Sequence, residues 1–447
     1  MRRKANFYRL IIIACISGLI YAFSIKDSNW PQFRGSENNM IALGANYPTE
    51  WNDSLNVKWT CGLTGEGWSS PIVFGDRIFI TSAIPEKTAP AEAQSAPTPK
   101  PDDTSFTKEI YRWELTCFDL KSGKELWKQV ARSGHPSIKK HAQSTYACET
   151  PVTDGKRVYA YFGMTGIFCY DLNGKLIWQK DLGSYKTMND WGTGSSPVVY
   201  QDLLYIQVDN EENSFIIALD AKTGTEKWKI SRDEKTSYST PVIWKNKIRT
   251  ELVTIGKYAR AYDPATGSLI WELKMGDGSA IPSPVYDKEH IYLGKSGGPN
   301  KPGMLFSVKA GSSGDITPAD SGLVSTGVAW TLRETGVSNP SPLILNGLIY
   351  LLSGRGGEIY CLDASTGALV YKEKIANVGA CWSSPWIFNN QIYFYDEKGN
   401  TKVFQAGKEF KVISQNNRLD DKFWASVAIT NDDYIFRGVK KLYCVSK

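Results

Sequence analysis

Short apolar segments recur along the chain, and turn-forming residues separate them. Val198–Tyr200 is followed, after a short turn, by a second apolar run at residues 204–207. A similar pair lies at residues 72–74 and 78–81, with Gly75-Asp76 between them. Apolar runs of this length, joined by tight turns rich in Gly, Asn and Asp, predict β-hairpins. We therefore expect an all-β protein.

Each pair of strands begins with the same signal, a Ser or Thr followed by Pro and an apolar residue. The signal starts at Ser70, Thr150, Ser196, Thr240, Ser283, Ser341 and Ser384, with a degenerate copy lacking Pro at Ser426. Successive signals are 80, 46, 44, 43, 58, 43 and 42 residues apart. A recurring period near 43 residues matches one four-stranded blade of a β-propeller. The eight signals predict eight blades.

A second signal in each repeat is an aromatic residue that follows an Ala/Cys-x-Asp sequence and a Thr-Gly turn. Residues 218–228 run Ala-Leu-Asp-Ala-Lys-Thr-Gly-Thr-Glu-Lys-Trp, and residues 261–271 share this skeleton. The aromatics are Trp127, Trp178, Trp228, Trp271, Trp330, Tyr371 and a weak Phe410. Trp59, which precedes the first Ser-Pro signal, supplies the eighth. This offset predicts a closed ring in which the N-terminal strand completes the last blade.

The Asp and the Trp of the skeleton have structural interpretations. The Asp recurs at Asp119, Asp171, Asp220, Asp263 and Asp363. An Asp before a turn accepts backbone N–H groups of that turn, and the Gly adopts the positive φ that the turn requires. We favour this turn role over a catalytic one. Each Trp is predicted to be a wedge between neighbouring blades.

The N-terminus predicts export. Residues 1–24 have a basic start, an apolar run, and small residues at Ala22 and Ser24 that suit signal cleavage. Lipidation at Cys15 and an uncleaved anchor are the alternatives. Each of these places the body outside the cytoplasm, in the periplasm or at the envelope surface. Contact with the membrane is then expected only through the N-terminus.

The charge of the body argues against polyanionic partners. The formal net charge is +6, and four of these charges come from Arg2, Arg3, Lys4 and Arg9, which leaves the rest of the chain near +2. A nearly neutral body gives no electrostatic support for nucleic-acid binding or for an anionic membrane surface. We therefore expect no nucleic-acid partner.

The repeat divides the chain into a signal segment at 1–24, an extension at 25–55 that packs on the propeller, and the propeller at 56–447. Residues 84–108 contain five prolines among Ala, Ser and Lys. This composition predicts a disordered insertion between the second and third strands of blade 1. Blade 5 is also enlarged, by residues 297–303 and 311–326.

The cysteines give no redox or metal signature. Cys117, Cys169, Cys361 and Cys444 occupy one repeat position, where they are predicted to act as small packing residues. Disulfides among the other cysteines stay open. The eight cysteines form no Cys-x-x-Cys motif and no adjacent pair, so zinc binding, haem attachment and thiol redox chemistry lack their usual patterns.

The Ala-x-Asp-x-x-Thr-Gly-x-x-x-Trp skeleton resembles the tryptophan-docking repeat of the pyrroloquinoline-quinone-like (PQQ-like) β-propeller superfamily. The sequences at residues 30–35 (Trp-Pro-Gln-Phe-Arg-Gly) and 146–155 resemble a secreted bacterial branch of it. The resemblance spans roughly residues 30–447. The superfamily includes quinoprotein alcohol dehydrogenases and BamB-like outer-membrane assembly lipoproteins, which bind no cofactor. It therefore supports the propeller strongly and an activity weakly.

The resemblance to the dehydrogenases does not extend to their functional residues. Those enzymes have a disulfide between adjacent cysteines over the quinone, a calcium ion and a catalytic Asp, and this chain has no adjacent cysteines. The closest acidic run, at residues 209–213, is predicted to be a solvated loop, with a calcium site as the less favoured alternative. We predict no catalytic residue, no metal and no cofactor; quinone and calcium are not supported by the residues.

The position two residues before each Ser/Thr signal lies where the chain enters the innermost strand of a blade. It is Trp in blades 7, 8 and 1, which are neighbours across the closure, so we predict an aromatic arc at the channel mouth. Simple packing at the hub is the alternative, and we favour it. The predicted ligand- or partner-binding residues at the mouth are Trp68, Trp382, Trp424, Tyr238, Trp191, His135, His141 and Tyr146.

His135 and His141 lie in the loop that enters blade 2. Two histidines six positions apart could share a metal, or one could act as a base. We favour a polar loop that forms hydrogen bonds across the hub, because the sequence offers no third ligand.

These observations favour a non-enzymatic extracytoplasmic propeller that acts as a protein-interaction or envelope-assembly scaffold. A protein partner in the cell envelope is expected. The alternatives are a propeller that binds carbohydrate or cell wall through the aromatic arc, and a quinone-dependent oxidoreductase.

Overall fold

Eight sheets form the body of the protein, each built on four antiparallel strands. The computed structural model describes residues 29–36, 39–42, 44, 46–86, 109–297, 302–319, 322–430 and 432–447. Seven sheets have four strands and one has five, and each corresponds to one sequence repeat. The predicted eight-bladed, four-stranded propeller is confirmed. The predicted signal segment, the lipidation site Cys15 and most of the blade 1 insertion lie outside the described residues.

The strands of each blade follow one another in sequence from the channel outward. Those of blades 1 and 2 are Ile72–Phe74, Arg77–Glu86, Ile110–Asp119 and Glu125–Gly134, then Val152–Thr153, Arg157–Phe162, Gly166–Asp171 and Leu176–Lys180. Those of blades 3 and 4 are Val198–Tyr200, Leu203–Val208, Phe215–Asp220 and Glu226–Ser231, then Val242–Lys245, Thr250–Ile255, Tyr258–Tyr262 and Leu269–Lys274. A short 3₁₀ helix, Met188–Asp190, precedes blade 3.

The second half of the ring repeats this arrangement. The strands of blades 5 and 6 are Val285–Tyr286, His290–Lys295, Gly303–Lys309 and Val328–Thr335, then Leu343–Leu345, Leu348–Leu352, Glu358–Asp363 and Leu369–Lys374. Those of blade 7 are Trp386–Phe388, Gln391–Tyr395, Asn400–Gln405 and Val412–Arg418. Blade 8 contributes Ala428–Ile429, Tyr434–Arg437 and Lys441–Val445, and its outermost strand is Val57–Gly62.

The N-terminal strand closes the ring, as the position of Trp59 predicts. Trp59 is paired with Cys444 in blade 8, in the same register that pairs Trp127 with Cys117 in blade 1. The closing strand therefore occupies the outermost position that a Trp-bearing strand has in the other blades. Because first and last segments share one sheet, the ring has no free end.

Burial decreases from the second strand of a blade to its outermost strand. Every residue of Leu204–Val208 is buried, because neighbouring blades cover both faces of the strand, whereas Glu226–Ser231 alternates and is largely exposed. This explains why second strands have nearly continuous apolar sequences. The outermost strands keep one apolar anchor, the Trp.

Five of the Trp anchors dock on the following blade, whereas the indole N–H of Trp271 donates to Glu251 of its own blade at 2.8 Å. The indole N–H of Trp228 donates to the carbonyl of Pro264 at 3.1 Å, and Gly267 of the same turn lies against the indole face. The equivalent bonds go from Trp59 to Leu120, from Trp127 to Leu172, from Trp178 to Ala221 and from Trp330 to Ala364. The predicted wedge role is confirmed at these positions, and so is the turn role of the Asp, since Asp263 Oδ1 accepts the backbone N–H groups of Ala265 and Thr266.

The Ser/Thr residues that start the repeats form a hydrogen-bonded ring around the channel. At seven of the eight positions the backbone N–H donates to the hydroxyl oxygen of the next residue, for example Ser70 to Thr150 at 2.9 Å and Ser426 back to Ser70 at 3.0 Å. Seven such bonds link the eight residues Ser70, Thr150, Ser196, Thr240, Ser283, Ser341, Ser384 and Ser426. We call this set the hydroxyl ring. The hydroxyl ring explains why Ser or Thr recurs at this repeat position, because its hydroxyl oxygen accepts a buried backbone N–H of the adjacent blade.

The segment before the closing strand crosses the channel at the end where the first and second strands of the blades turn. Trp30 pairs with Val73 of blade 1, and Ile41 pairs with Ile387 of blade 7. Between them the buried Arg34 donates to the carbonyl of Pro342 at 2.7 Å and to that of Pro284 at 3.2 Å. Burial lowers the pKa of Arg34 to about 9, which keeps it protonated at neutral pH. We call residues 29–36 the plug.

The two enlarged repeats differ from expectation. The second strand of blade 1 continues through Pro85, which pairs with Tyr111, so residues 84–86 are strand and the predicted disorder over 84–108 is wrong at that end. Pro is tolerated there because the strand has passed the end of the short innermost strand and forms an edge. In blade 5, Gly314–Asp315 adds a parallel fifth strand to blade 4 beside Trp271.

The described cysteines are all free thiols, and those at the shared repeat position are buried, in agreement with a packing role. In the part of the chain that the structure describes, no helix has the length and apolar character needed to cross a bilayer.

Candidate functional site

A cavity of about 940 Å³ occupies the channel between the plug and the opposite mouth. Phe33 of the plug lines one end, and the hydroxyl ring lines the walls. At the mouth, all eight residues that stand two positions before the Ser/Thr signals line the cavity: Trp68, Cys148, Gly194, Tyr238, Ile281, Asn339, Trp382 and Trp424. The repeat position chosen from sequence is therefore the wall of one cavity.

The three predicted arc tryptophans are stacked on one another. Trp424 lies between Trp68 and Trp382, with ring centroids 3.9 and 4.3 Å away and planes within 8° of parallel. Both faces of the Trp424 indole are therefore covered, whereas the indoles of Trp68 and Trp382 each have one face that the stack does not cover. We call this set the tryptophan stack. All three side chains are only partly buried, so the stack packs at the hub and also leaves ring surface exposed.

Tyr238 and Trp191 also line the cavity. Tyr238 leans over Gly194, where an added Cβ would lie 3.4 Å from the tyrosine ring. Trp191 stacks on His141 at 4.0 Å between ring centroids. The backbone N–H of His141 donates to the carbonyl of Asp190 at 2.7 Å, which joins the loops entering blades 2 and 3 as the polar-loop interpretation expects.

The remaining predicted residues lie away from the cavity wall. His135 is exposed at the end of the long hairpin of blade 1, with its Nδ1 at 3.2 Å from the carbonyl oxygen of Glu109. Tyr146 is buried against Trp113, and its hydroxyl donates to the carbonyl of Ile138 at 3.0 Å. A binding role for His135, His141 and Tyr146 stays a prediction.

A buried carboxyl group stands behind the cavity wall. Glu149 accepts hydrogen bonds from the backbone N–H of Gly163 at 2.9 Å and from the hydroxyl of Thr193, which lines the cavity. Burial raises the pKa of Glu149 to about 7, and these hydrogen bonds only partly offset it. Its protonation therefore changes near neutral pH, next to the ligand-accessible wall.

We expect Glu149→Gln to remove a pH dependence of stability. The native pKa of about 7 exceeds the ordinary value of 4.5, so the folded protein binds this proton more tightly than the unfolded chain. Stability from this group therefore rises as pH falls from 7 to 4.5 and is lowest above pH 7. Urea unfolding at pH 5 and pH 8 should show a loss of about 2.5 kcal/mol in the wild type that is absent in the variant. Equal losses in both proteins would contradict the assignment.

A buried arginine lies on the other side of blade 1. Arg437 Nη1 donates to the carbonyl of Ser69 at 2.9 Å and to its hydroxyl, and Nη2 donates to the Ser82 hydroxyl at 3.2 Å. Its Nε has no acceptor among the described residues. Burial lowers the pKa of Arg437 to about 9, so it remains a cation near the mouth.

Only the first part of the acidic run at residues 209–213 differs from the predicted solvated loop, because Glu212 and Asn213 are exposed. Asp209 is buried and accepts from Arg232 at 2.7 and 3.1 Å, and Asn210 is buried as well. Sequence patterning could not show this, because Arg232 lies 23 residues further along the chain, directly after the outermost strand of blade 3. Within the described ranges, no three His, Cys, Asp or Glu side chains converge as a metal site would require.

Comparison with known proteins decides the family. A family model described as outer membrane protein assembly factor BamB matches residues 112–277 and 256–408, which together make up roughly two thirds of the chain. The chain belongs to this family of PQQ-like β-propellers.

Individual relatives are distant. The outer membrane protein assembly factor BamB of Moranella endobia (strain PCIT) is 25% identical over 181 residues, which cover 40% of this chain and 42% of that protein, less than half of its length. The structure of BamB from Moraxella catarrhalis aligns with a TM-score of 0.54 at 12% identity, covering 74% of this chain and 88% of that one. A europium-containing methanol dehydrogenase aligns with a TM-score of 0.48 at 13% identity, over 86% of this chain and 90% of that one.

The cavity of this BamB-family propeller does not fit the quinone of the PQQ-dependent dehydrogenases. Pyrroloquinoline quinone is a flat molecule that carries several carboxylates. Arg355 is the one cation among the described lining residues, and it shares the wall with Glu358. The side chain of Asp209, which belongs to the less favoured candidate calcium site, is already paired with Arg232. The donor set therefore lacks the charges that this cofactor requires.

Three features of the BamB-family cavity were missed by sequence reasoning. The plug places Arg34 and Phe33 in the channel, and nothing in a hexapeptide shows which blades it will reach. Arg437 meets Ser69 only because the ring closes. Glu149 did have a signal, since the other residues at its repeat position are Ser69, Ser195, Ser239, Pro282, Pro340, Ser383 and Ala425.

Proposed function

We propose that this protein is a non-enzymatic propeller outside the cytoplasm that serves as a scaffold for outer-membrane protein assembly. The observation that carries the proposal is the family match over most of the ring, to a family described as an outer membrane protein assembly factor. The predicted signal segment at residues 1–24 supports the location.

The mouth face is the surface that suits a protein partner. On the opposite face, blades turn over two residues, as at Gly75-Asp76 and Asn346-Gly347. At the mouth, long loops run over residues 135–151, 181–197 and 232–241. Loops held on a rigid scaffold are where binding usually lies. The plug blocks the other end of the channel, which leaves the mouth as its accessible side.

Blade 1 adds a raised wall to this face. Its two central strands, Arg77–Glu86 and Ile110–Asp119, have ten residues each, whereas the corresponding strands of blade 3 have six. Four extra residues extend the hairpin by about 13 Å. A partner on the mouth face therefore meets a concave surface with this hairpin at one side.

Site-specific photo-cross-linking in the native bacterium tests the proposal. A photoreactive amino acid at Lys235, whose side chain is 71% exposed at the mouth, is expected to capture an outer-membrane protein assembly component. The matched control position is Lys247, 49% exposed on the opposite face. Deleting the gene should also lower the levels of outer-membrane β-barrel proteins. Normal levels in the deletion strain, with equal cross-linking from both faces, would refute the scaffold role.

A further inference from the structure

The wall of the cavity is rich in hydroxyl groups and poor in charge. Among the described lining residues, fifteen are Ser or Thr, seven are aromatic and two are charged. At about 940 Å³ the cavity is at the upper end of the range for small-molecule sites, about 300–1,000 Å³, so it has room for more than a single sugar ring. These properties point to a neutral ligand with many oxygen atoms.

The hydroxyl ring presents donors to the cavity. Seven of its oxygens accept a backbone N–H from the adjacent blade. In the described part of the chain, none of the eight hydroxyl hydrogens is donated to another protein group. A ligand or water therefore has to supply the acceptors. A purely apolar ligand would leave these donors without partners, at a cost for each.

One end of the tryptophan stack is on the side of blade 6. Trp424 covers the blade 8 side of the Trp382 ring, so the uncovered face is on the side of blade 6, whose residue at the same repeat position is Asn339. The side chains of Asn339 and its neighbour Ser338 line the cavity and make no hydrogen bond with any described residue. An aromatic plate beside an unpaired amide and an unpaired hydroxyl suits a sugar ring, because its C–H face packs on the indole and its hydroxyls need both donors and acceptors.

We propose that the cavity binds a neutral carbohydrate, with one sugar ring stacked on Trp382 and hydrogen-bonded to Asn339. Arg355 and Glu358 have opposite charges, so the wall favours neither an anion nor a cation. A peptide side chain would use the aromatic plate but would leave most of the hydroxyl wall unpaired. The site is independent of the scaffold role, which concerns the outer surface of the mouth loops.

A glycan array followed by calorimetry on the full-length protein tests the proposal. We expect saturable binding of a neutral oligosaccharide. Trp382→Ala should weaken its Kd about tenfold and Asn339→Ala about three- to tenfold, whereas Trp382→Phe keeps the plate and should stay within about threefold. Trp59→Phe, in the closing strand far from the cavity, is the matched control and should leave Kd unchanged. Thermal melting checks that every variant is folded.

The outcomes separate the two proposals. No binding across the array, or unchanged affinity in folded Trp382→Ala and Asn339→Ala, would overturn the carbohydrate site. Binding of only flat or charged molecules would overturn it as well. Because Asn339 lies inside the mouth, cross-linking from Lys235 should persist in Asn339→Ala. Cross-linking therefore tests the scaffold role, and carbohydrate affinity tests the cavity, so one proposal can fail without the other.

Discussion

Replacing Arg232 with Ala is expected to lower the free energy of unfolding by about 3–5 kcal/mol. The Arg232 side chain has no exposed surface, and it donates to both carboxylate oxygens of Asp209. It also donates to the hydroxyls of Thr254 at 2.7 Å and Tyr262 at 2.9 Å. Glu234 lies 3.9 Å away, with no exposed side-chain surface either. Removing the guanidinium takes away a positive charge and hydrogen bonds that offset the desolvation of two buried carboxyl groups, those of Asp209 and Glu234.

The size of this effect comes from desolvation. Burial raises the pKa of Glu234, and Arg232 is the strongest opposing influence, so the variant should shift that pKa upward again. Arg232→Lys keeps a charge but loses the planar fork that spans Asp209, so it should fall between Ala and wild type. The measurement is urea unfolding followed by tryptophan fluorescence.

Lys235→Ala is the matched control for this experiment. Lys235 pairs with Glu211 in the same loop region, at 3.7 Å, but its side chain is 71% exposed. Solvent-exposed pairs contribute little, so the change should stay within about 0.5 kcal/mol. A loss for Arg232→Ala no larger than that of the control would show that the buried pair is dispensable.

The repeat predicted the ring because the blades are built from local signals. A Ser/Thr-Pro start, a Thr-Gly turn and a Trp lie within one period, so their spacing alone gave eight blades. Trp59 precedes the first repeat, and this position predicted how the ring closes. Only pairing of its strand with the last blade gives every blade four strands. The same period also predicted the eight residues that line the channel mouth, because the position two residues before each Ser/Thr signal faces the axis in every blade.

The contents of the channel were not predictable in this way. The plug contacts blades 5 and 6 through Arg34, which is separated from Pro342 by 308 residues. Asp209 was predicted to be solvated because the sequence around it is polar, and its partner Arg232 lies 23 residues further along the chain. The arc was predicted, but the sequence did not show that its tryptophans stack on one another. These features depend on which side chains meet after the ring has closed.

The docking of a Trp anchor on the next blade should contribute strongly to the stability of the ring. Trp228 is buried, its N–H is bonded to Pro264, and its ring covers Gly267. We expect Trp228→Ala to cost about 3–5 kcal/mol, as large-to-small changes of buried aromatics do. The aromatic that fills this position therefore joins blade 3 to blade 4.

Gly267 makes the same contact testable from the other side. It has a φ of +76°, and an added Cβ would lie 2.8 Å from Trp228 Cδ2. Gly267→Ala should therefore cost about 2–4 kcal/mol, through the unfavourable φ and through displacement of the indole. Gly75→Ala is the control, because Gly75 has a φ of +60° and nothing within 4 Å of its added Cβ. That change should cost only the backbone contribution, about 1–2 kcal/mol.

A double-mutant cycle separates the two contributions at Gly267. In a Trp228→Ala background the indole is gone, so Gly267→Ala should cost about as much as Gly75→Ala does in the wild type. The coupling energy would then be about 1 kcal/mol or more. Additive losses would mean that the Gly is required only for its backbone conformation. A coupled loss would mean that the Thr-Gly turn of each blade is also shaped to receive the Trp of the blade before it.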